Sequence, residues 1–596
     1  MLRTGSIFIL FFVSFSLLNE IFPQVPDQIQ KYRAEPYGEF KYEKESILDG
    51  NLIRTLFKNT GEIGHWPFQP SGEWPKGSGH PYLDGMTLLI GAEVTAPGNQ
   101  AVIHPIESSY REQMDYDPLT GEIWGLEPIP GYSNPSSTKP AMSIDRNSWP
   151  SIWPNALGLG AEWNGRWYGY WGRDVKTASF ENFFVMDDSQ DKEFTRSPYN
   201  FFPVLSDTNR GGLGLRVEVR GYQCSKMSYP LADNILFWHY DIVNISDFSY
   251  DSTCIGFYFD SGVGGTNDNG DNVRYDKDLE IIYAYDTDGL GTPGNWVTGY
   301  IGVMLLETPS NSVNGIDDDG DGMIDERRDD GIDNDRDWVG YLDVNNNGKW
   351  DSPIEPLNDD VGKDGVGVYD NLDYFGPDDG EGDGIPTDGE PNFDKTDNDE
   401  SDQIGVTAVS LNYVSQTSSS LWPKNDDVVW SKMVGGFADT VITNANVSAL
   451  FSSGPFPLQK FSRERISSAI ICADNVEKLT NTATFARNLY NNDYDFTTVG
   501  IDDEDLVLAN TFSLSQNYPN PFNPVTKIQF SVPQNEVVKI KVYDFLGAEI
   551  TTLVNREMYS GSYEVDFNGK TLASGIYFVR MEAGKFVETK KIVLLK

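Results

Sequence analysis

The feature that most limits how this chain can fold is a block of acidic residues in its middle. Residues 317–402 contain 30 Asp and Glu against 6 Lys and Arg, a net charge of −24 in 86 residues. Carboxylates at this density repel one another and resist compaction without a counter-ion. Blocks of like charge are usually solvated, but regularly spaced glycines and aromatic residues such as Trp338 and Trp350 interrupt this one. The pattern favours a folded, ion-dependent loop region, with a plain acidic linker as the alternative.

A short internal repeat organises the start of this block. The segment GIDDDGD at 315–321 recurs as GIDNDRD at 331–337, and a third loop follows at 343–351. Acidic residues at positions 1, 3 and 5 of a loop converge on one hard cation, a glycine at position 6 permits the sharp turn, and position 7 offers its carbonyl. The second loop has Trp338 in place of that glycine. The candidate ligands, loop by loop, are Asp317, Asp319, Asp321, Met323 (through its carbonyl) and Asp325; Asp333, Asp335 and Asp337; and Asp343, Asn345, Asn347, Lys349 (through its carbonyl) and Asp351.

These loops resemble the Asp-rich calcium repeats of extracellular proteins, which are related to EF-hand loops. They depart from a full EF-hand at position 12, where a bidentate Glu is expected but Arg328 and Ile354 stand in the first and third loops. Asp329 or Glu355, one place later, is the available substitute. The resemblance implies calcium as the bound ion, at weak sites with dissociation constants of about 10⁻⁴–10⁻³ M.

The N-terminal residues predict export. An apolar run from Ile7 to Leu18 follows a single Arg and is too short for a typical membrane-spanning helix. This is a signal-peptide pattern, with cleavage expected near Gln24, so we assign residues 1–24 to a signal peptide; a short membrane anchor is the alternative. No later segment approaches the ~20 apolar residues that a spanning helix needs, so we expect no transmembrane segment in the mature chain.

The C-terminal residues predict a small β module. The box Gln516–Pro524 contains three prolines and cannot be helical. Val537–Tyr543 alternates between apolar and polar residues, Gly547 supplies a turn, and strand-like runs follow at 562–567 and 575–581.

This module resembles the type-A C-terminal sorting domain of Bacteroidetes-type cargo of the type IX secretion system. The resemblance rests on the NYPNPFNP box, the VYDFLGAEI strand and turn, and the final SGIYFVRMEAGKFVETKKIVLL. It implies that residues 512–596 engage the type IX secretion machinery. It also implies export through both membranes to the extracellular space or the outer-membrane surface of a Gram-negative bacterium.

Strand signals flank the acidic block. Leu215–Arg220 alternates strictly, which predicts one buried and one wet face, and Ile235–Ile245 suits the central strand of a sandwich. The pattern resumes at 406–414 and 428–434, and a helix that packs on the core is predicted after an N-cap at Asp474.

We therefore predict a mainly β, multi-domain protein. Its parts, in order, are the signal peptide at 1–24, a β-sandwich-type main domain at 25–313 and 403–490, the acidic calcium-loop insertion at 314–402, a linker at 491–511, and a small C-terminal β-sandwich sorting domain at 512–596.

Charge and cysteine content exclude several functions. A formal charge of −45 argues against nucleic acid as a partner and against attraction to an anionic membrane surface. Three cysteines do not make a disulfide scaffold. Cys224 and Cys254 flank strand-like runs and either form a pair or remain buried thiols.

Two classes of function remain open. Neither HExxH nor G-x-S-x-G occurs, so catalytic signatures are thin and we lean against an enzyme. The favoured hypothesis is a non-catalytic, calcium-binding surface protein that has a structural role or binds glycans or other surface proteins. The alternative is a secreted hydrolase acting on polysaccharide, with its site in the Trp-rich region 61–171. Eight of the fourteen Trp lie there, either to stack on sugar rings or to fill a core.

Overall fold

The computed structural model divides the chain into two compact units. One comprises residues up to 225 together with 231–496, and the other comprises 226–230 and 497–596. Placement is described for residues 25–596 apart from 112–114, 177, 227–228, 266–269, 369–373, 375, 399, 415–421, 423, 439, 495, 497–511, 515, 518, 533–535, 559–560 and 571. The predicted signal peptide and most of the predicted linker therefore lie outside the described residues.

A ten-stranded antiparallel sheet forms one layer of the first unit. From one edge to the other, its strands are Val441–Ala445, Asp271–Asp276, Ile281–Asp286, Tyr300–Glu307, Arg463–Ala473, Ile235–Asn244, Leu215–Gln223, Phe180–Asp187 and Glu127–Pro128, with Ala141–Met142 also paired to Phe180–Asp187. The central strand Ile235–Asn244 is buried along its whole length, as its apolar and aromatic sequence predicts.

A six-stranded sheet forms the second layer. Its strands, in spatial order, are Phe437–Ala438, Ala408–Tyr413, Val447–Leu458, Tyr250–Ser261, Leu83–Ala92 and Ile106–Ser108. The two sheets share one apolar core, in which Tyr240 of the first sheet contacts Phe257 of the second with ring centroids 5.5 Å apart. Burial of each such ring stabilises the fold by about 1.5–3 kcal/mol. The predicted mainly β class is confirmed.

The prediction of a wet face on Leu215–Arg220 is wrong. Every residue of the strand Leu215–Gln223 is buried. Its charged side chains face partners instead of water: Arg216 pairs with Glu218 at 2.6 Å and with Glu35 at 2.7 Å. The guanidinium of Arg220 donates to the carbonyl of Tyr168 at 2.8 Å. Segments far away in sequence cover this face, and alternation within the strand carries no information about them.

The described part of the first unit also contains three α-helices, at Asp27–Arg33, Asp426–Met433 and Val476–Tyr490. The second corrects the strand predicted at 428–434, because Val429, Trp430 and Met433 are buried on one helical face. The third is predicted correctly, but Asn475 rather than Asp474 is its N-cap and accepts from the amide of Lys478 at 2.9 Å. None of the helices in the described ranges has the length and hydropathy of a membrane-spanning segment.

Short elements fill the remainder of the first unit. Two-residue to four-residue strands pair at Glu45–Leu48 with Thr55–Lys58, Val94–Thr95 with Val102–Ile103, Tyr168–Gly169 with Gly172–Arg173, and Leu290–Gly291 with Trp296–Val297. Turns of 3-10 helix lie at Phe40–Tyr42, Arg146–Ser148, Asn155–Leu157, Ala161–Trp163, Glu193–Thr195, Ala232–Asn234 and Asp394–Thr396. Cys224 and Cys254 are separate buried thiols and form no disulfide.

The second unit contains two further antiparallel sheets. One consists of Ser513–Leu514, Val525–Val532 and Gly561–Asn568, and the other of Glu549–Met558, Glu536–Tyr543, Gly575–Ala583 and Phe586–Leu594. Side chains from both sheets form one apolar core. Ile540 and Val542 are fully buried in it, which agrees with the predicted alternation.

Candidate cation-binding loops

The first predicted loop brings its carboxylates together. Oxygen atoms of Asp317, Asp319 and Asp321 lie within 4.8 Å of one another. The Asp317 carboxylate accepts from the amides of Gly320 at 2.6 Å and Gly322 at 3.2 Å, which curls the chain around it. Gly322 has a φ of +104°, the conformation that the glycine at position 6 was predicted to supply. These groups could bind one hard cation.

The second predicted loop has the same arrangement. Oxygen atoms of Asp333, Asp335 and Asp337 also lie within 4.8 Å of one another. Trp338 stands where the first loop has glycine, and its indole N–H donates to Glu390 at 3.1 Å. The substitution thus leaves the three carboxylates close together, and the larger side chain makes a contact to another part of the insertion.

The third predicted loop closes by hydrogen bonds among its own residues. The Asp343 carboxylate accepts from the amides of Asn347 at 3.1 Å and Gly348 at 2.7 Å. The side-chain amides of Asn345 and Asn347 donate to Asp351 at 2.5 and 2.6 Å. The loop is formed, but with two carboxylates it offers a cation less charge than the first two.

The last two candidate ligands of the first loop, Met323 and Asp325, form hydrogen bonds within the repeat. Asp325 has a φ of +61° and accepts from the amide of Gly315 at 2.8 Å, which closes the repeat. The amide of Met323 donates to Asp321 at 2.8 Å. The carbonyls of Met323 and Lys349 stay predicted ligands.

Five fully buried carboxylates hold the insertion together, and of these only Glu355 was predicted as a possible ligand. They are Glu355, Asp360, Glu390, Glu400 and Asp402. Glu355 accepts from backbone amides of its own loop, and the other four accept from backbone amides in other parts of the insertion. The most distant link joins Asp402 to the amides of Asp318 at 2.6 Å and Asp325 at 3.0 Å. Carboxylates that accept several N–H bonds act as the centres of loops, so this segment is a folded body.

Arg328 at position 12 of the first loop, and the two acids suggested as substitutes at this position, have structural contacts. Arg328 points away from the first loop, and its guanidinium pairs with Glu307 at 2.6 Å, with both side chains at most 2% exposed. Asp329, the suggested substitute, accepts from Arg327 at 2.6 Å and from the amide of Arg463 at 2.7 Å. Glu355 accepts from the amides of its own loop. These groups attach the insertion or close it.

Burial of so many acids perturbs their ionisation. Burial raises the pKa of Glu390 and of Asp394 to about 7. The pKa values of Asp319 and Asp402 are also raised, mainly because burial penalises their charged forms. A bound cation favours the ionised form of a nearby carboxylate. A cation bound beside these carboxyls would therefore displace protons from them.

The Trp-rich region serves as packing. All eight Trp between residues 66 and 171 are buried or half-buried. Trp153, Trp163 and Trp167 form one aromatic cluster with Tyr168 and Phe183 beneath the large sheet's outer strands. The indole N–H of Trp167 donates to the buried Glu181 at 2.7 Å. This arrangement favours core filling over stacking on sugar rings.

The proline-rich box and the last strand of the C-terminal module lie side by side. Asn520 accepts from the amide of Val593 at 2.9 Å, and the amide of Phe522 donates to the carbonyl of Val593 at 2.9 Å. Phe522 is 1% exposed. The proline-rich box therefore pairs with the last strand, Phe586–Leu594.

The comparisons with known proteins identify this module. Residues 516–595 match the family described as the secretion system C-terminal sorting domain. The predicted sorting domain is thereby confirmed, and it supports the assignment of the chain as type IX secretion cargo. Such a domain implies interaction with the secretion machinery and export to the cell surface or the extracellular space.

The comparisons of the whole chain add one weak structural likeness. No curated protein matches the sequence. A solved structure described as a polysaccharide lyase is similar over 85% of this chain, with 8% identity and a TM-score of 0.18. The match covers 46% of that structure. A score this low carries no argument about fold or activity.

Proposed function

We propose that this chain is an exported surface protein whose acidic insertion binds calcium and is stabilised by it. The observation that carries the proposal is the convergence of two sets of three carboxylates, Asp317–Asp319–Asp321 and Asp333–Asp335–Asp337. Oxygen-only ligands in flexible loops suit calcium, which accepts six to eight oxygens at about 2.3–2.6 Å. Magnesium demands a tighter octahedron and keeps more of its water.

The proposed role is structural or adhesive, without catalysis. The four histidines support this because each has a structural contact. His65 contacts Glu62 at 2.6 Å, His104 contacts Asp427 at 2.8 Å, and His80 stacks on a Trp ring at 3.9 Å. His239 is buried, and its pKa is lowered to about 3 by that burial.

The partner of the exposed surface is proposed to be another surface protein. Eight large apolar side chains among the described residues of the insertion are more than half exposed beside its carboxylates: Ile316, Ile324, Ile332, Val339, Leu342, Val344, Ile354 and Ile385. Exposed apolar groups of this kind support protein contacts. The glycan hypothesis has less support, because every Trp ring of the region 61–171 that could stack on a sugar is buried or half-buried.

Calorimetric titration of the purified protein with calcium tests this proposal. The parent should give saturable heat with a dissociation constant of about 10⁻⁴–10⁻³ M. The triple variant Asp317→Asn, Asp319→Asn and Asp321→Asn should lose at least one calcium. A control carrying Asp251→Asn and Asp288→Asn, both exposed in the main unit, should bind as the parent does. Absence of saturable heat in the parent, or parental binding by the triple variant, would overturn the proposal.

Export is tested separately. Removal of residues 516–595 should leave the protein in the periplasm of its host, while the full chain should reach the surface or the medium. Fractionation with antibody detection reports both. Appearance of the truncated protein outside the cell would contradict the assigned role of the module.

A further inference from the structure

A third cluster of carboxylates lies outside the predicted loop pattern. Oxygen atoms of Asp335, Asp397 and Glu400 lie within 4.8 Å of one another. Asp335 belongs to the second repeat, whereas Asp397 and Glu400 lie about sixty residues later, at the end of the insertion. Asp397 is 3% exposed and Glu400 is fully buried. The fold has thus brought three acids together, two of them inside the protein.

One carboxylate oxygen of Glu400 lacks a hydrogen-bond partner. Its Oε1 accepts from the backbone amide of Asn334 at 2.7 Å and from the side-chain amide at 2.6 Å. Its Oε2 is buried and has no hydrogen-bond partner among the described residues. An unsatisfied buried carboxylate oxygen is strongly unfavourable, so each such atom calls for a ligand that would satisfy it.

The guanidinium of Arg328 does not supply the missing hydrogen bond. Arg328 donates to the main-chain carbonyl of Asp397 and pairs with Glu307 at 2.6 Å. Its charge is therefore matched by a carboxylate outside the cluster. In the part of the chain that the structure describes, Glu400 makes no ion pair within 4.0 Å of a Lys or Arg nitrogen.

We propose that Asp335, Asp397 and Glu400 bind a calcium ion that clamps the second repeat to the end of the insertion. Two oxygens on opposite sides of calcium stand about 4.6–5.2 Å apart, so oxygens within 4.8 Å can all reach one ion. The proposal extends the calcium binding proposed above, but two of its three ligands lie outside the predicted loops. Glu400 Oε2 gains its missing partner in this arrangement.

The clamp connects the ion to the main sheet. Asn398, next to Asp397, donates to the carbonyl of Tyr490 at 2.9 Å and to Asp493 at 2.7 Å, and accepts from Arg465 at 3.2 Å. The segment that carries the buried ligands is therefore already fixed to the main unit. Calcium at this site would fix the second repeat as well.

Calcium stoichiometry and tryptic cleavage of the purified full chain test the clamp. Glu400→Gln keeps the shape and the Asn334 contacts while it removes a charge, and Asp397→Asn is the second variant. Arg336, exposed within the second repeat, is the cleavage site. Calcium should protect it in the parent. Both variants should bind one calcium fewer and be cut there at least tenfold faster, with parental circular dichroism in EDTA.

The outcomes separate the clamp from the loops. Parental stoichiometry and protection in Glu400→Gln would overturn the clamp, even where the Asp317 triple variant loses calcium. Loss of calcium in Glu400→Gln but not in the triple variant would support the clamp and refute calcium binding by the first loop. If both clamp variants fail to fold, crystals of the parent soaked in ytterbium decide: an anomalous peak among the three carboxylates supports the site, and an empty site overturns it.

Discussion

Replacement of Arg328 by Met should detach the insertion from the main sheet. The guanidinium pairs with Glu307 at 2.6 Å and donates to the carbonyls of Asp394, at 3.1 Å, and Asp397. Loss of one partner of a buried ion pair costs about 3–5 kcal/mol. Burial raises the pKa of Glu307 to about 7 even beside Arg328, and the Arg465 guanidinium stays 3.6 Å from this carboxyl in the variant, so both effects reduce the cost. We therefore expect a loss near the lower limit, about 3 kcal/mol.

Guanidinium denaturation followed by Trp fluorescence measures this loss, since every Trp of the chain lies at or before residue 430 and reports the main unit. Combination with Glu307→Gln should recover part of the stability, because no buried charge is then left unpaired. Lys478→Met is the control: its pair with Asp474 has both side chains more than half exposed and should contribute under about 1 kcal/mol. A loss below about 1 kcal/mol for Arg328→Met would refute the reasoning.

Three further predictions concern caps, tail and pH. Asn475→Ala should lower the stability of the main unit by about 1 kcal/mol, whereas Asp474→Ala should change that stability by under about 0.5 kcal/mol. Equal effects of the two substitutions in denaturation would contradict the observed cap. Phe522→Ala should lower the free energy of unfolding of the C-terminal module by about 3–5 kcal/mol, enough to unfold it. The module should then lose its resistance to protease, and a parental digestion pattern would argue against this packing. In EDTA the thermal midpoint should rise as the pH falls from about 8 to about 5. Burial raises the pKa of Glu127 and of Glu464 to about 8, so both bind protons more tightly when folded, and a flat or falling midpoint would contradict this.

Short sequence patterns correctly predicted the strands whose hydrophobic pattern and turn residues lie close together in the chain. Alternation in Val537–Tyr543 and the apolar run Ile235–Ile245 became strands, because turn residues and burial pattern lie within a few positions of one another. The repeat at 315–337 likewise predicted which carboxylates converge, since alternate residues of a tight loop point to one centre.

Distant contacts explain what the sequence analysis missed. The outer face of Leu215–Gln223 is covered by segments that alternation cannot reveal. Asp402 and Glu400 support loops that precede them by more than sixty residues, so no spacing rule could select them among 90 acids. The short run 428–434 suits either a strand or a helix, and the acids at its start favour the helix.

Hydrogen exchange of the full chain with and without calcium tests the central claim most directly. If cations hold the acidic insertion together, amides of 314–402 that bond to its carboxylates, such as those of Gly320 and Asn334, should exchange at least tenfold more slowly in calcium. Residues 516–595 should show no change. Equal exchange throughout 314–402 in calcium and in EDTA would contradict the account.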